Sequence, residues 1–147
     1  MKCSLIIFTT IIYLSFAYFH ELQYKTGDDI LYKLKAGNHN IYVMIFFNPG
    51  EGHEHTRTTN QHMIEKVEKE FLYRNDVKDL YYAPIDATDP TFAGLLDALT
   101  VDVDDLINTP QLFIMEHGNG YIISGPRAVE EMEQNLQELL GNKDQGF

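Results

Sequence analysis

Cysteine is nearly absent: Cys3 is the only one in 147 residues. A single thiol excludes an intrachain disulfide, a cysteine-rich zinc site and any chemistry that cycles two thiols within the chain. Tryptophan is missing, and basic residues are scarce, 11 against 22 acidic ones. The net charge of −11 is spread along the chain rather than gathered in a tail. A surface of that sign neither neutralises phosphates nor favours adsorption onto anionic lipid, so nucleic acid is not expected as a partner. No Asn-x-Ser/Thr acceptor occurs, since Asn108-Thr109-Pro110 only resembles one. No arginine-rich amphipathic presequence, low-complexity run or internal repeat is present. The last residues, Asp144-Gln145-Gly146-Phe147, are not an endoplasmic-reticulum retrieval signal.

What is present begins with a hydrophobic stretch. From Cys3 to Phe19 no residue carries a formal charge, with Lys2 before it and His20-Glu21 after it. Two readings stand. The basic start, apolar stretch and Ser15-Phe16-Ala17 step describe a signal peptide cleaved after Ala17. A helix over residues 3–19 would instead reach about 25 Å, close to a hydrocarbon core of about 30 Å, and would serve as a retained anchor. Residues 1–19 are thus expected to be a signal peptide or membrane anchor, 20–141 a single domain and 142–147 a tail.

Within the domain, Leu22 to Lys25 suits a short strand, and Thr26 with Gly27-Asp28-Asp29 opens a helix carrying Ile30, Leu31 and Leu34. Ile41 to Phe47 is a continuous apolar run, as a strand covered on both faces requires. Met63, Ile64, Val67 and Phe71 recur at helical spacing and predict a helix over His55 to Tyr73. Leu80 to Asp86 reads as a strand, and Asp89-Pro90 opens a helix with Phe92, Leu95, Leu96 and Leu99 inward. Gln111 to Met115 and Tyr121 to Ile123 read as strands joined through His117-Gly118-Asn119-Gly120. A final helix, Arg127 to Leu140, is expected to stop at Gly141. The alternating first part implies parallel strand pairs, and the closing hairpin makes the sheet mixed.

Four segments, in this order, resemble the thioredoxin fold and its protein disulfide isomerase branch over roughly Glu21 to Leu140. Phe46-Phe47-Asn48-Pro49 followed by Gly50-Glu51-Gly52-His53-Glu54 is similar to the strand and active-site loop, normally Trp-Cys-Gly-His-Cys. Ala83-Pro84-Ile85-Asp86-Ala87-Thr88 resembles the third strand, and Thr109-Pro110 before Gln111 to Ile114 the cis-proline loop. Tyr121 to Arg127 resembles the last strand and the Gly-Pro-Arg entry to the final helix. The resemblance implies an α/β, thioredoxin-like domain. Its mixed sheet would have four to five strands, flanked by helices on both faces and preceded by the N-terminal hydrophobic helix.

The departures bear on function. Glu51 and Glu54 stand where the family has its cysteine pair, and a carboxylate cannot attack a disulfide sulfur. The family's buried acidic proton acceptor, six positions before the first cysteine, corresponds here to Ile45. The loop Gly50, Glu51, Gly52, His53 and Glu54 is therefore expected to be a degenerate active site with no catalytic residue. Thr109 and Pro110 are expected to keep the cis-proline loop, which shapes the fold and permits peptide binding by strand addition.

The sequence also carries residue types suited to other chemistries. His53, His55 and His62 are weak candidates for metal ligands, because their spacing matches no established zinc pattern and is not His-Glu-x-x-His. Asp102, Asp104 and Asp105 carry oxygen ligands for calcium but lack the glycine and distal glutamate of a calcium loop. Glu51, His53 and Glu54 would be the residues of a non-thiol enzyme, and paired carboxylates can divide acid and base roles. Acidic residues in a first helical turn have an ordinary electrostatic reason, so no enzyme and no cofactor are expected.

The expected function is a redox-inactive protein-binding or structural module, tethered to a membrane through residues 3–19 or lying in a lumen. One form is an accessory subunit of a membrane complex, such as a respiratory complex of the mitochondrial inner membrane or intermembrane space. The alternative is a client-binding chaperone-like domain of the endoplasmic reticulum and secretory pathway.

Overall fold

The computed structural model describes residues 20–72 and 79–144. The expected signal peptide or anchor lies outside them, as does the end of the expected tail. Among the described residues no helix is long and apolar enough to cross a membrane.

The elements follow one another as β1 (His20–Glu21), α1 (Gly27–Lys35), β2 (Ile41–Phe47), α2 (Glu54–Leu72), β3 (Leu80–Asp86), a 3-10 turn (Pro90–Phe92), α3 (Ala93–Leu99), a second 3-10 turn (Asp105–Ile107), β4 (Gln111–Glu116), β5 (Asn119–Ile123) and α4 (Ala128–Asp144). The strands form one sheet in the order β1-β3-β2-β4-β5. β1 and β2 flank β3 in parallel, whereas β4 runs antiparallel to both β2 and β5.

β2 is central, and its six buried residues, Ile41 to Phe46, serve two cores because successive side chains point to opposite faces. Tyr42, Met44 and Phe46 pack with Ile30 and Leu34 of α1, Phe92 of the first 3-10 turn, and Leu95 and Leu96 of α3. Ile41, Val43 and Ile45 pack with Met63 and Val67 of α2 and with Val129, Met132 and Leu136 of α4. Pro84 lies within β3, where a missing N–H would normally break a ladder. It is tolerated because β1 pairs only with Tyr81 and Tyr82, leaving that side of β3 open at Pro84. The Pro84 carbonyl instead accepts from the Tyr24 hydroxyl at 3.2 Å.

Three boundaries differ from the sequence reading. The first strand is His20–Glu21 rather than Leu22 to Lys25. Leu22 still donates to the Tyr82 carbonyl at 2.8 Å, but the Lys25 N–H donates to Asp29 Oδ2 at 2.9 Å, so the helix start claims the backbone there. The β4–β5 connection is tighter than expected: His117 (φ 51°) and Gly118 (φ 78°) alone make it, both left-handed as a type I′ turn requires. The last helix continues through Gly141 to Asp144 instead of stopping. Gly141 has no positive φ, so it does not make the left-handed cap that its position suggested.

α1 is closed by a reciprocal cap. The Asp29 N–H donates to Thr26 Oγ1 at 3.3 Å, and the Thr26 N–H donates to Asp29 Oδ2 at 3.2 Å. Replacing Thr26 by alanine is expected to cost about 0.5–2 kcal/mol in urea denaturation. The hydrogen bond from the Lys25 backbone, then that from Thr26, hold the Asp29 carboxyl below its ordinary range. Because the folded value lies below the unfolded one, this stabilisation is present above the unfolded value and is lost as pH falls through the folded one. Asp29→Asn should therefore flatten part of the acid limb of a stability–pH profile.

Candidate functional site

The degenerate loop is built where β2 ends and α2 begins. The Asn48 side chain turns the chain by accepting from the Gly50 N–H at 2.9 Å. The His53 N–H then closes a turn onto the Gly50 carbonyl at 2.8 Å. Gly52, third residue of that turn, has φ 80°, the conformation a type II turn demands. Glu54 opens α2, where a carboxylate suits the positive end of the helix dipole.

Glu51, Gly52, His53 and Glu54 are all exposed, whereas Gly50 is buried. Beneath the loop stand two buried polar side chains of α2, Thr56 and Asn60. The Thr56 hydroxyl donates to the Ile107 carbonyl at 2.8 Å, and the Asn60 amide donates to the Asn48 carbonyl. The first bond ties the loop to the segment that precedes Pro110. The second ties the helix back to the end of β2. Neither residue was marked by the sequence as functional, since a threonine and an asparagine on a polar helix face carry no distinctive spacing.

Thr56→Val keeps the shape and removes the donor, leaving the Ile107 carbonyl without this partner. A loss of about 1–3 kcal/mol is expected in urea denaturation. Thr58 is exposed and donates to the Glu54 carbonyl at 3.0 Å, so Thr58→Val should stay within about 0.5 kcal/mol.

Thr109 and Pro110 lie on the same rim. Phe46 pairs with Gln111 across the β2–β4 ladder, which sets Pro110 beside Phe47 and the loop entrance. The cis geometry implied by the resemblance is not observed, for no peptide bond among the described residues is cis. The chain enters β4 through the 3-10 turn at Asp105–Ile107, so the reversal does not fall on the proline bond. That bond takes the trans form, which is favoured for X–Pro by about 0.5–1 kcal/mol. Pro110 is buried at the head of β4, where its missing N–H leaves no ladder position empty.

Ile45 occupies the place at which the resemblance expects an acid. It is fully buried in the α2–α4 core, a largely apolar cluster that also holds Tyr82. Burial raises the Glu68 carboxyl on α2, helped by Glu65 and Glu21, and the Tyr82 hydroxyl on β3, which lies in the same core as Ile45.

The metal readings of the sequence are not supported by the geometry. Among the described residues no three His, Cys, Asp or Glu side chains converge, so neither His53, His55 and His62 nor Asp102, Asp104 and Asp105 form a ligand set. Asp102 instead accepts from the Asp104 N–H at 2.9 Å, a local turn. It borders a cleft of about 690 Å³ between the end of β3 and α3, rimmed by Asp89, Asp97, Asp102 and Asp104.

No protein-family model matches the chain, and no curated protein matches it in sequence. Among solved structures it is similar to thioredoxin O2 from Arabidopsis thaliana in its oxidised state. The TM-score is 0.53 at 17% identity, over 80% of this chain and 91% of that one. At so low an identity the likeness concerns architecture only. With its mixed sheet between helices on both faces, the chain has a thioredoxin-like fold.

Proposed function

We propose that this chain is a redox-inactive domain of the protein disulfide isomerase type that works as a protein-binding or structural module, tethered to a membrane through its N-terminal segment. One observation carries the reading. Exposed Glu51 and Glu54 occupy the loop at the β2–α2 junction, while Gly50, Thr56 and Asn60 still hold that loop in a defined shape. A scaffold kept in order around a site with no thiol suits recognition rather than turnover. The polar, exposed loop and the adjacent rim at Thr109 and Pro110 give a partner both side-chain and backbone groups to contact.

Within this reading the chain is an accessory subunit of a membrane complex, for instance a respiratory one in the mitochondrial inner membrane. The Ser15-Phe16-Ala17 step favours a second form, a cleaved lumenal domain that binds unfolded clients in the secretory pathway.

Two measurements test the proposal. The purified chain should show no insulin reduction and no dithiol oxidation above a Cys3→Ser control; a clear signal would overturn the redox-inactive reading. Native mass measurement of untagged protein from its own membrane should find a stoichiometric complex. Transient unfolded clients would select the lumenal form, and a partner-free monomer would sink the binding role.

A further inference from the structure

Two histidines 78 residues apart meet on the rim opposite the degenerate loop. His39 lies just before β2 and His117 opens the β4–β5 turn, and the pairing of Ile41 with Glu116 sets these two turns side by side. His39 Nδ1 and His117 Nε2 are 2.7 Å apart. The rings cross at 80° with centroids 4.9 Å apart, so the contact is edge to edge through nitrogen rather than a stack. Behind His117, Glu116 Oε1 lies 3.6 Å from Nδ1.

The arrangement has a chemical direction. A carboxylate facing Nδ1 favours the His117 tautomer with its proton on that nitrogen, which leaves the Nε2 lone pair aimed at His39. A histidine whose second nitrogen faces a carboxylate is the usual arrangement at a bound transition metal. His39 and Glu116 thus stand at the two different nitrogens of the His117 ring, and the pairing of Ile41 with Glu116 brings His39 there.

We propose that His39 and His117 form a two-imidazole site for a divalent transition-metal ion, copper(II) ahead of zinc, with Glu116 as a positioning residue behind His117. Imidazole nitrogen suits both ions, and the order follows the general preference of nitrogen sites for copper. Two cis nitrogens bound at about 2.0 Å sit about 2.8 Å apart in the square-planar geometry copper(II) prefers, and about 3.3 Å apart in the tetrahedral geometry of zinc. The observed 2.7 Å thus fits copper nearly as it stands, whereas zinc requires the two exposed rings to part by roughly half an ångström. Water completes the coordination, since no third His, Cys, Asp or Glu converges there among the described residues. The site is thus open, with exchangeable positions.

The test is titration of the full chain with copper(II) and with zinc near neutral pH, followed by calorimetry and copper electron paramagnetic resonance. Histidine 117 is best replaced by asparagine, which tolerates its positive φ, and His39 by glutamine. One equivalent of copper with nitrogen hyperfine coupling is expected. His39→Gln or His117→Asn should each weaken binding at least about tenfold, as loss of one of two ligands implies, and the double variant should abolish it. Glu116→Gln should weaken it about tenfold without removing a ligand. A triple variant with His53, His55 and His62 changed to alanine should bind as the parent does. Equal binding by the double variant, or none by the parent, would overturn the proposal; circular dichroism of each variant separates loss of the site from loss of the fold.

Discussion

Ile45→Asp is expected to lower stability at neutral pH by about 4 kcal/mol or more, one of the largest effects available to a single change in this chain. Ile45, on β2, is fully buried beneath helices α2 and α4 in a core shared with Val43, Met63, Val67, Leu112 and Met132, in which the Tyr82 hydroxyl is the polar group and, among the described residues, no cation is present. A carboxylate placed there is desolvated with no cation beside it. Its folded-state pKa would rise above the unfolded value of about 3.9, so the folded chain binds the proton more tightly than the unfolded one. The deficit should accordingly be smallest in acid. It should grow as pH rises from the unfolded value to the raised folded one. Urea denaturation at a series of pH values reads this directly, with Ile45→Val, expected at about 0.5–1.5 kcal/mol, as the reference. A flat profile, or a cost no greater than that of valine, would mean that a polar niche survives under the loop.

Gly50→Ala should cost about 2–5 kcal/mol. Gly50 has φ 68°, a left-handed conformation that costs an alanine about 1–2 kcal/mol. A Cβ there would lie 2.7 Å from Thr56 Cβ and 2.8 Å from Thr56 Cγ2, far inside contact distance. Thr56 cannot yield freely, because its hydroxyl is engaged by the Ile107 carbonyl. Overpacking of this kind adds about 1–3 kcal/mol. Gly52 provides the contrast. Its φ is 80°, but nothing lies within 4 Å of an added Cβ, so Gly52→Ala should cost only the backbone strain, about 1–2 kcal/mol. Equal losses at the two positions would show that the Thr56 contact does not hold the loop in shape.

Much of the architecture was legible because its signals are local. The apolar run Ile41 to Phe47 and the spacing of Met63 and Val67 each report a periodicity that survives any tertiary arrangement. Boundaries were less legible where one backbone group had two possible partners, as at Lys25, whose N–H goes to Asp29 rather than to a ladder. The site was legible in part. Glu51 and Glu54 could be read against a cysteine pair only through the resemblance of the segments around them. The buttressing of their loop by Thr56 and Asn60 could not, because it depends on the carbonyls of Ile107 and Asn48, distant in sequence. The resemblance also implied a cis bond at Pro110 that the structure does not have.

Sequence alone determined that no two thiols can meet within this chain and that alternating helices and strands must cover both faces of a central apolar strand. These are matters of composition and of side-chain direction along a single element. Tertiary structure alone decided which distant groups share a surface: His39 with His117, Thr56 with the Ile107 carbonyl, and Ile45 with the α2–α4 core. Such contacts depend on strand order and register, which are set by the packing of the whole sheet and leave no mark at any one position.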